Sequence, residues 1–178
     1  MAVLTPQETT AALNEFVSEK HLGILTLVRK DGRPHSTPVG FMWDDEKKVA
    51  RIITWSGSLK TRLLEKETLL GTISQVDGGR WVTFEGICSS TGDSEICSDA
   101  VELYSLRYSQ PKDRGDERRT ITMTVNRILS SAGLAPYEVN SSKKLRQLFC
   151  LKLERLELTV YLYGRRRYKP LRYFLCFS

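Results

Sequence analysis

Residues 22–43 read LGILTLVRKDGRPHSTPVGFMW, and this stretch decides the fold. Apolar residues dominate Leu22 to Val28, which is typical of a β-strand. The run Lys30-Asp31-Gly32-Arg33 predicts a tight hairpin turn, because Asp-Gly tolerates the positive φ that such turns need. Pro34 to Trp43 then reads as a second strand. Since its prolines lack a backbone N–H, we expect this strand to be irregular or to lie at an edge.

The same strand and hairpin patterning continues outward along the chain and predicts four more strands. They are expected at Lys48–Trp55, Leu69–Val76, Arg80–Cys88 and Arg118–Ile128. Helices are expected at Thr5–Lys20, Leu59–Glu67 and Ser94–Tyr108. Six strands in meander order, with helices only at the edges, favour a small antiparallel barrel because sequential hairpins close on themselves. We therefore predict a mainly β fold, a six-stranded antiparallel β-barrel with peripheral helices.

The net positive charge of the chain comes from its last quarter. The 178 residues carry a net charge of +6, yet residues 1–134 hold 17 Lys/Arg against 18 Asp/Glu, and residues 135–178 hold 10 against 3. The first part therefore has no overall field that would attract nucleic acid. We predict a domain at 1–134 and a basic C-terminal extension at 135–178. That extension is interpreted either as a poorly ordered addition or as a basic segment that contacts an acidic surface, and we assign it no chemistry.

Targeting and metal-binding signals are weak in this sequence. No apolar run reaches the roughly 18 residues that a membrane span requires, and the first residues do not resemble a secretory signal. Cys88, Cys97, Cys150 and Cys176 form no C-x-x-C pair, and His21 and His35 are far apart. We therefore expect no metal site, and we expect free thiols in a reducing cytoplasm.

One segment carries a candidate chemistry: residues 51–60, RIITWSGSLK. A strand ends at Thr54, small residues turn the chain, and Lys60 follows in the first turn of a helix. Hydroxyls, backbone N–H groups and one ammonium at such a place suit a phosphate. Arg51 and Arg62 would add bidentate contacts if they face the same side. A plain strand-loop-helix with a capping serine gives the same pattern, so both interpretations stay open at this point.

Three blocks of sequence together resemble one family. They are residues 21–26 with 31–41 (HLGILT and DGRPHSTPVGF), residues 51–64 (RIITWSGSLKTRLL) and residues 74–86 (SQVDGGRWVTFEG). In this order and spacing the chain is similar to the split-barrel flavin and deazaflavin enzymes of the pyridoxamine-phosphate-oxidase-like superfamily. It most resembles the branch that uses the deazaflavin coenzyme F420, which includes small actinobacterial enzymes that reduce biliverdin.

The resemblance implies a homodimer with two cofactor sites at the subunit interface. By this resemblance Thr54, Ser58 and Lys60 hold the cofactor phosphate, and Ile53 and Thr54 pass under the tricyclic ring. The backbone of Thr37, Pro38 and Val39 would border that ring. Arg80, Trp81 and Val82 would reach the cofactor of the other subunit.

The implied activity is hydride transfer from reduced F420 to a conjugated, acidic small molecule such as biliverdin. The cofactor would carry the hard chemistry. His35, an arginine or water would protonate the product, and Arg107 and Tyr108 would hold an acidic substrate or cap their helix. Two other functions stay open: an FMN-dependent oxidase of pyridoxamine phosphate, and a non-catalytic split barrel that binds a flavin or haem.

Overall fold

The computed structural model describes residues 1–136, which lie within one unit of the chain, Met1–Tyr137. These residues form eight β-strands and three α-helices, and three short 3₁₀ turns at Pro6–Glu8, Gly115–Glu117 and Ala132–Leu134. In chain order the elements are β1 (Ala2–Leu4), α1 (Ala11–Ser18), β2 (Gly23–Val28), β3 (Pro34–Val39), β4 (Met42–Asp44), β5 (Val49–Trp55), α2 (Leu59–Leu64), β6 (Leu69–Asp77), β7 (Arg80–Thr91), α3 (Ser94–Arg107) and β8 (Arg118–Ser130). The predicted extension at 135–178 lies outside the described residues, apart from its first two.

The predicted mainly β class with peripheral helices is confirmed. Each of the six predicted strands is present, but Pro34–Trp43 divides into β3 and β4, and β1 was not predicted, so residues 1–136 form eight strands rather than six. The hairpin turn after β2 contains Gly32 at φ +78°. The single helix predicted at Thr5–Lys20 is wrong. The carboxylate of Glu8 accepts the N–H of Thr5 at 2.7 Å and closes a separate short turn. The hydroxyl of Thr10 then accepts the N–H of Leu13 at 3.0 Å and starts α1.

The predicted meander order is also wrong. The hydrogen-bonded order is β3-β2-β6-β7-β8-β5-β4, with β1 paired to β8, so β5 and β6 follow each other in the chain without pairing. The connection between them contains α2. Local patterning shows where strands begin and end, but the partner of each strand depends on contacts between distant residues.

One bent segment, Pro34–Asp44, closes the barrel. Its first half is β3, which pairs with β2, and its second half is β4, which pairs with β5. Only Gly40 and Phe41 separate the two halves, so the strands at the two ends of the sheet order belong to one continuous stretch of chain. The sheet therefore curls until its two edges meet at this bend.

The end of α3 holds the bend in place. Tyr108 donates its hydroxyl to the carbonyl of His21 at 2.7 Å and accepts the N–H of Phe41 at 3.2 Å. The guanidinium of Arg107 donates to the carbonyl of Phe41. A Cβ on Gly40 would lie 2.7 Å from the ring of Tyr104, so only glycine fits there. Backbone groups that leave the ladder at the bend thus find partners on α3.

The barrel interior is a single apolar core. Its largest completely buried side chains are Phe16, Phe41 and Phe84, and the ring of Trp43 stacks on Phe84 at 4.7 Å. The opposite face of β2, β6 and β7 carries apolar side chains that remain exposed: Ile24, Val28, Leu70, Val76 and Ile87. None of the helices described, over residues 1–136, is long and apolar enough to span a membrane.

Candidate functional site

A split in the barrel wall, between β3 and the last residues of β5, brings most of the predicted site residues together. β4 pairs with β5 only from Val49 to Arg51, so residues 52–55 have no neighbour on that side in the described part of the chain. Among the strands of residues 1–136, β3 is paired with β2 alone. Continuing the register of β4 past the bend sets Pro38 opposite Trp55, so the free edges of the two strands face each other. The predicted residues at this split are Thr37, Pro38, Val39, Ile53 and Thr54.

The free edge of β3 offers a ligand very few donors. The N–H of Arg29 donates to the carbonyl of Arg33 at 3.1 Å, which makes these two residues a hydrogen-bonded pair. Because such pairs alternate along an antiparallel ladder, residues 35, 37 and 39 bond to β2, whereas residues 34, 36 and 38 face the split. Pro34 and Pro38 have no N–H. The backbone N–H of Ser36 is therefore the one donor that β3 presents to the split.

Three hydroxyls meet where β5 leads into α2. Thr54 and Ser58 lie 3.0 Å apart between their side-chain oxygens, and Ser58 and Thr61 lie 2.8 Å apart. Thr61 also donates to the carbonyl of Trp55 at 3.0 Å. A Cβ on Gly57 would lie 2.0 Å from the ring of Trp55, so the loop needs a glycine there. The loop thus has a fixed shape, with hydroxyls facing the start of α2.

Lys60 supplies a positive charge in the same segment as these hydroxyls. Its side chain is about half-buried, and this burial lowers the pKa of the ammonium group. Within residues 1–136 no carboxylate lies within 4 Å of it. A partly desolvated ammonium without a counter-charge costs free energy, which an anionic ligand would recover. The residues present therefore fit a phosphate.

His35 lies beside this cation, on the inward side of β3. Its pKa is lowered, first by burial and then by the charges of Arg29 and Lys60. The imidazole is therefore mostly neutral at pH 7. Because the unfolded chain binds this proton more readily, His35 makes the fold less stable as the pH falls through the ordinary histidine pKa of about 6.5.

Lys60→Ala should raise the pKa of His35. Removing the ammonium removes one of the charges that oppose protonation, while the burial remains, so the pKa should recover only part of its shift. NMR titration of the ring protons measures this directly, and His21, the only other histidine, serves as the internal reference. An unchanged or lowered His35 pKa in the folded variant would contradict this placement of Lys60.

Some of the predicted site residues contact parts of the fold away from the hydroxyl cluster. Arg51 donates to the carboxylate of Asp44 at 3.2 Å and, by strand alternation, faces away from Thr54, so it is not brought to the hydroxyl cluster. The side chains of Val39 and Val82 lie in the barrel core. Their backbone groups lie in the strand ladders, Val39 with β2 and Val82 with β6 and β8, so the structure presents neither residue to a ligand.

Arg80 and Trp81 lie at the other end of the sheet. Trp81 of β7 pairs with Val76 of β6. Extending the pairing of β2 with β6 places Arg29 opposite Leu69, which lies seven residues from Val76 along β6. At about 3.3 Å per residue the two levels are about 23 Å apart. One chain therefore separates Trp81 from the end of the sheet where the charges of Arg29 and Lys60 act on His35. Arg80 instead binds the carboxylates of Glu19 and Asp77.

Arg107 and Tyr108 have a structural role that the sequence did not indicate. Arg107 donates to the carbonyl of Glu19 at 2.8 Å and to the side-chain oxygen of Gln75 at 2.8 Å, and Gln75 is completely buried. Its guanidinium also lies 4.4 Å from the ring centre of Phe41. All its acceptors are neutral groups of the fold, so these donors are not available to hold an acidic substrate.

Two further groups of reactive side chains lie outside the split. Burial raises the pKa of Cys88 to about 12, which keeps this thiol protonated and unreactive as a nucleophile. Glu19, His21 and Asp77 lie close enough together to hold one metal ion. The guanidinium of Arg80 already binds both of those carboxylates, at 2.6 Å in the case of Glu19.

Sequence reasoning missed two groups at the split: the guanidinium of Arg29 and the backbone N–H of Ser36. Arg29 follows the inward-facing Leu25 and Leu27, and this alternation past the strand end was a usable signal. The orientation of Ser36 follows from the register of the hairpin, which the turn type sets.

Comparison with known proteins places the chain in a family. The family model for pyridoxamine 5'-phosphate oxidase matches residues 9–158. The F420H(2)-dependent biliverdin reductase of Mycobacterium tuberculosis (strain CDC 1551 / Oshkosh) is 38% identical over 130 residues, which cover 71% of this chain and 93% of that protein.

Solved structures show the same fold. Conserved hypothetical protein Rv2991 from Mycobacterium tuberculosis superposes with a TM-score of 0.58 at 21% identity, over 75% of this chain and 94% of that one. A structure named F420 Reductase gives a TM-score of 0.52 at 19% identity, over 65% and 94%. HupZ from Group A Streptococcus gives 0.55 at 18%, over 71% and 98%. The match over residues 9–158 and the 38% identity, on a split barrel of this topology, show that this chain belongs to the pyridoxamine 5'-phosphate oxidase family.

Proposed function

We propose that this protein is an oxidoreductase that binds coenzyme F420 in the split between β3 and β5. The observation that carries the proposal is Lys60, a half-buried ammonium with no carboxylate partner in the described residues, two residues after Ser58, whose hydroxyl lies 3.0 Å from that of Thr54. Charge-assisted hydrogen bonds from such a group stabilise a phosphate. The choice of F420 is supported by the 38% identity to an F420H(2)-dependent reductase.

The chain's own residues would orient the ligand in the split. The N–H of Ser36 would donate one hydrogen bond from β3, and the flanking prolines keep that edge free of other backbone donors. Ile53 and Thr54 border the opposite side. When bound, the reduced deazaflavin supplies the hydride.

His35 is the proposed proton donor or relay. It sits beside Lys60 and is mostly neutral, because burial and the neighbouring cations lower its pKa. A neutral imidazole with a pKa below its usual value passes a proton on easily when it becomes protonated. Water remains the alternative donor.

The proposed substrate is a conjugated, acidic small molecule such as biliverdin. The positive charges at the split, Arg29 and Lys60, suit an anionic substrate as well as an anionic cofactor. A second candidate cofactor is FMN, which the family match favours, since the same lysine and hydroxyls would bind its phosphate.

A titration of the purified protein with F420 and with FMN tests the proposal. We expect F420 to bind more tightly than FMN, and biliverdin to reoxidise reduced F420 in the presence of the protein. Ser36→Pro, which removes the N–H without breaking a bond to β2, should weaken F420 binding by about tenfold. Ser36→Ala is the matched control, because it removes only the hydroxyl that contacts Thr26. Failure of wild-type protein to bind either cofactor would refute the proposal.

We further propose that the protein acts as a homodimer with each site completed by the other subunit. The apolar side chains on the outer face of β2, β6 and β7 are exposed in one chain, with Leu70 at 64% and Val76 at 65%. An apolar face of this kind is typical of a surface that a second protein chain buries. In one chain Trp81 lies about 23 Å along the sheet from the level of Arg29, whose charge acts on His35 together with that of Lys60, so a second copy is the means by which Trp81 would reach a ligand at Lys60.

Sedimentation should show a dimer at micromolar concentration. Leu70→Lys should convert it to monomers, because a charge then lies in the apolar contact, and F420 affinity should fall with it. Leu106→Lys is the control, since Leu106 is 80% exposed on α3, away from this face. A wild-type monomer that still binds cofactor would contradict the shared-site arrangement.

A further inference from the structure

Three side chains that commonly bind metals meet beside the β6–β7 turn. Glu19 and His21 come from the connection between α1 and β2, and Asp77 is the last residue of β6. One nitrogen of the imidazole and one oxygen of each carboxylate all lie within 4.8 Å of one another. Within residues 1–136 no other three histidine, cysteine or acidic side chains converge in this way. Sequence spacing gave no sign of the cluster, because Asp77 is far from the other two residues along the chain.

The geometry of this cluster suits a divalent transition-metal ion. The Nε2 of His21 lies 3.3 Å from a carboxylate oxygen of Glu19. Two ligand atoms that share a tetrahedral ion at bond lengths of about 2.1 Å are about 3.4 Å apart, so this pair already has the spacing required. The Asp77 oxygen needs to move by at most about 1.4 Å to join them. The three side chains are between 31% and 42% exposed, so this movement disturbs no core contact.

The guanidinium of Arg80 supplies the positive charge of the cluster in the structure. It donates to the carboxylate of Glu19 at 2.6 and 3.0 Å and also to that of Asp77. The two carboxylates outnumber this one cation, so the cluster still attracts positive charge. Exposed ion pairs of this kind contribute little free energy, whereas an ion that is shared by three ligands binds much more strongly. A divalent ion can therefore displace Arg80.

We propose that Glu19, His21 and Asp77 bind a divalent transition-metal ion in exchange for Arg80. Imidazole suits Zn²⁺ and Fe²⁺, and carboxylates suit Mn²⁺, so the mixed donor set admits this class of ion. Metal binding releases the guanidinium beside Trp81. A further consequence rests on the proposed function: the released Arg80 offers an unpaired positive charge to the anionic cofactor of the other subunit, so the metal strengthens F420 binding.

Mn²⁺ is the probe, because it favours hard ligands over the thiols of the chain and broadens the NMR signals of nearby protons. In the full-length protein without cofactor, we expect it to broaden the ring protons of His21 before those of His35, which pairs with Leu27 further along β2. The EPR signal of free Mn²⁺ gives the dissociation constant of every variant. His21→Gln should weaken binding by about tenfold or more. Arg80→Gln should tighten it by about fivefold, because the competing ion pairs are lost.

His35→Gln is the matched control for the imidazole, and it should bind Mn²⁺ as wild type does. Equal broadening of both histidines, unchanged affinity in His21→Gln or weaker binding in Arg80→Gln would overturn the metal site. Titration with F420 then tests the coupling: Mn²⁺ should tighten F420 binding in wild type and not in His21→Gln. Mn²⁺ that binds the cluster without changing F420 affinity would keep the site and refute the coupling. Wild-type protein that binds Mn²⁺ but not F420 would refute the proposed cofactor alone.

Discussion

Replacing Arg107 with alanine is expected to lower the free energy of unfolding by about 3–5 kcal/mol. Its guanidinium donates to the carbonyls of Glu19 and Phe41 and to the side chain of Gln75. These acceptors come from three separate segments, and Gln75 is completely buried. The alanine variant leaves them without a donor and removes the contact that closes the barrel at its bend.

Urea unfolding followed by tryptophan fluorescence measures this effect, because all three tryptophans lie within the described residues. Arg107→Lys should lower the free energy of unfolding somewhat less than Arg107→Ala, because lysine keeps the charge. It should still be less stable than wild type, because an ammonium cannot reach three acceptors as one planar group does. It provides the measurement if the alanine variant does not fold. Arg127→Ala is the matched control: its one ion pair within residues 1–136, to Glu85 at 3.5 Å, is exposed, and its loss should cost less than about 1 kcal/mol. A folded Arg107→Ala with the stability of that control would show that the bend is held by other contacts.

Replacing Lys60 with alanine is expected to weaken F420 binding by about ten- to a hundredfold. Hydrogen bonds to a charged group are worth about 1.5–3 kcal/mol, and Lys60 is the cation in the first turn of α2, directly after the hydroxyls of Thr54 and Ser58. Stability should change in the opposite sense to affinity. Because the ammonium is half-buried and has no carboxylate partner in the described residues, its removal should leave the free energy of unfolding unchanged or higher.

Fluorescence titration with F420 and urea unfolding of the same samples test both parts. Lys47→Ala, in the exposed turn between β4 and β5, removes the same charge far from the split and should bind F420 as wild type does. Unchanged affinity in a folded Lys60→Ala would mean that the phosphate lies elsewhere. A weaker fold with weaker binding would instead assign Lys60 a structural role.

The strands were predictable because each is patterned locally. Leu25 and Leu27 alternate with more exposed residues, Asp31-Gly32 forms the expected turn, and the two prolines of β3 lie where its backbone faces the free edge. Prolines tolerate only that side of a ladder. The pairing of β5 with β8 was not predictable in this way, because it joins residues about 70 positions apart through contacts that leave no local pattern.

The candidate site likewise has one part that follows from local sequence and another that depends on contacts between distant residues. The sequence alone determined the segment from Thr54 to Lys60, since hydroxyls, a glycine turn and a lysine within seven residues need no distant partner to come together. Only the tertiary structure brought Arg29 and His35 to Lys60, turned Arg51 toward Asp44 and placed Arg107 among backbone carbonyls. A side chain's chemistry is fixed by its type, but its partners depend on strand pairing, which is set by the burial of the whole barrel.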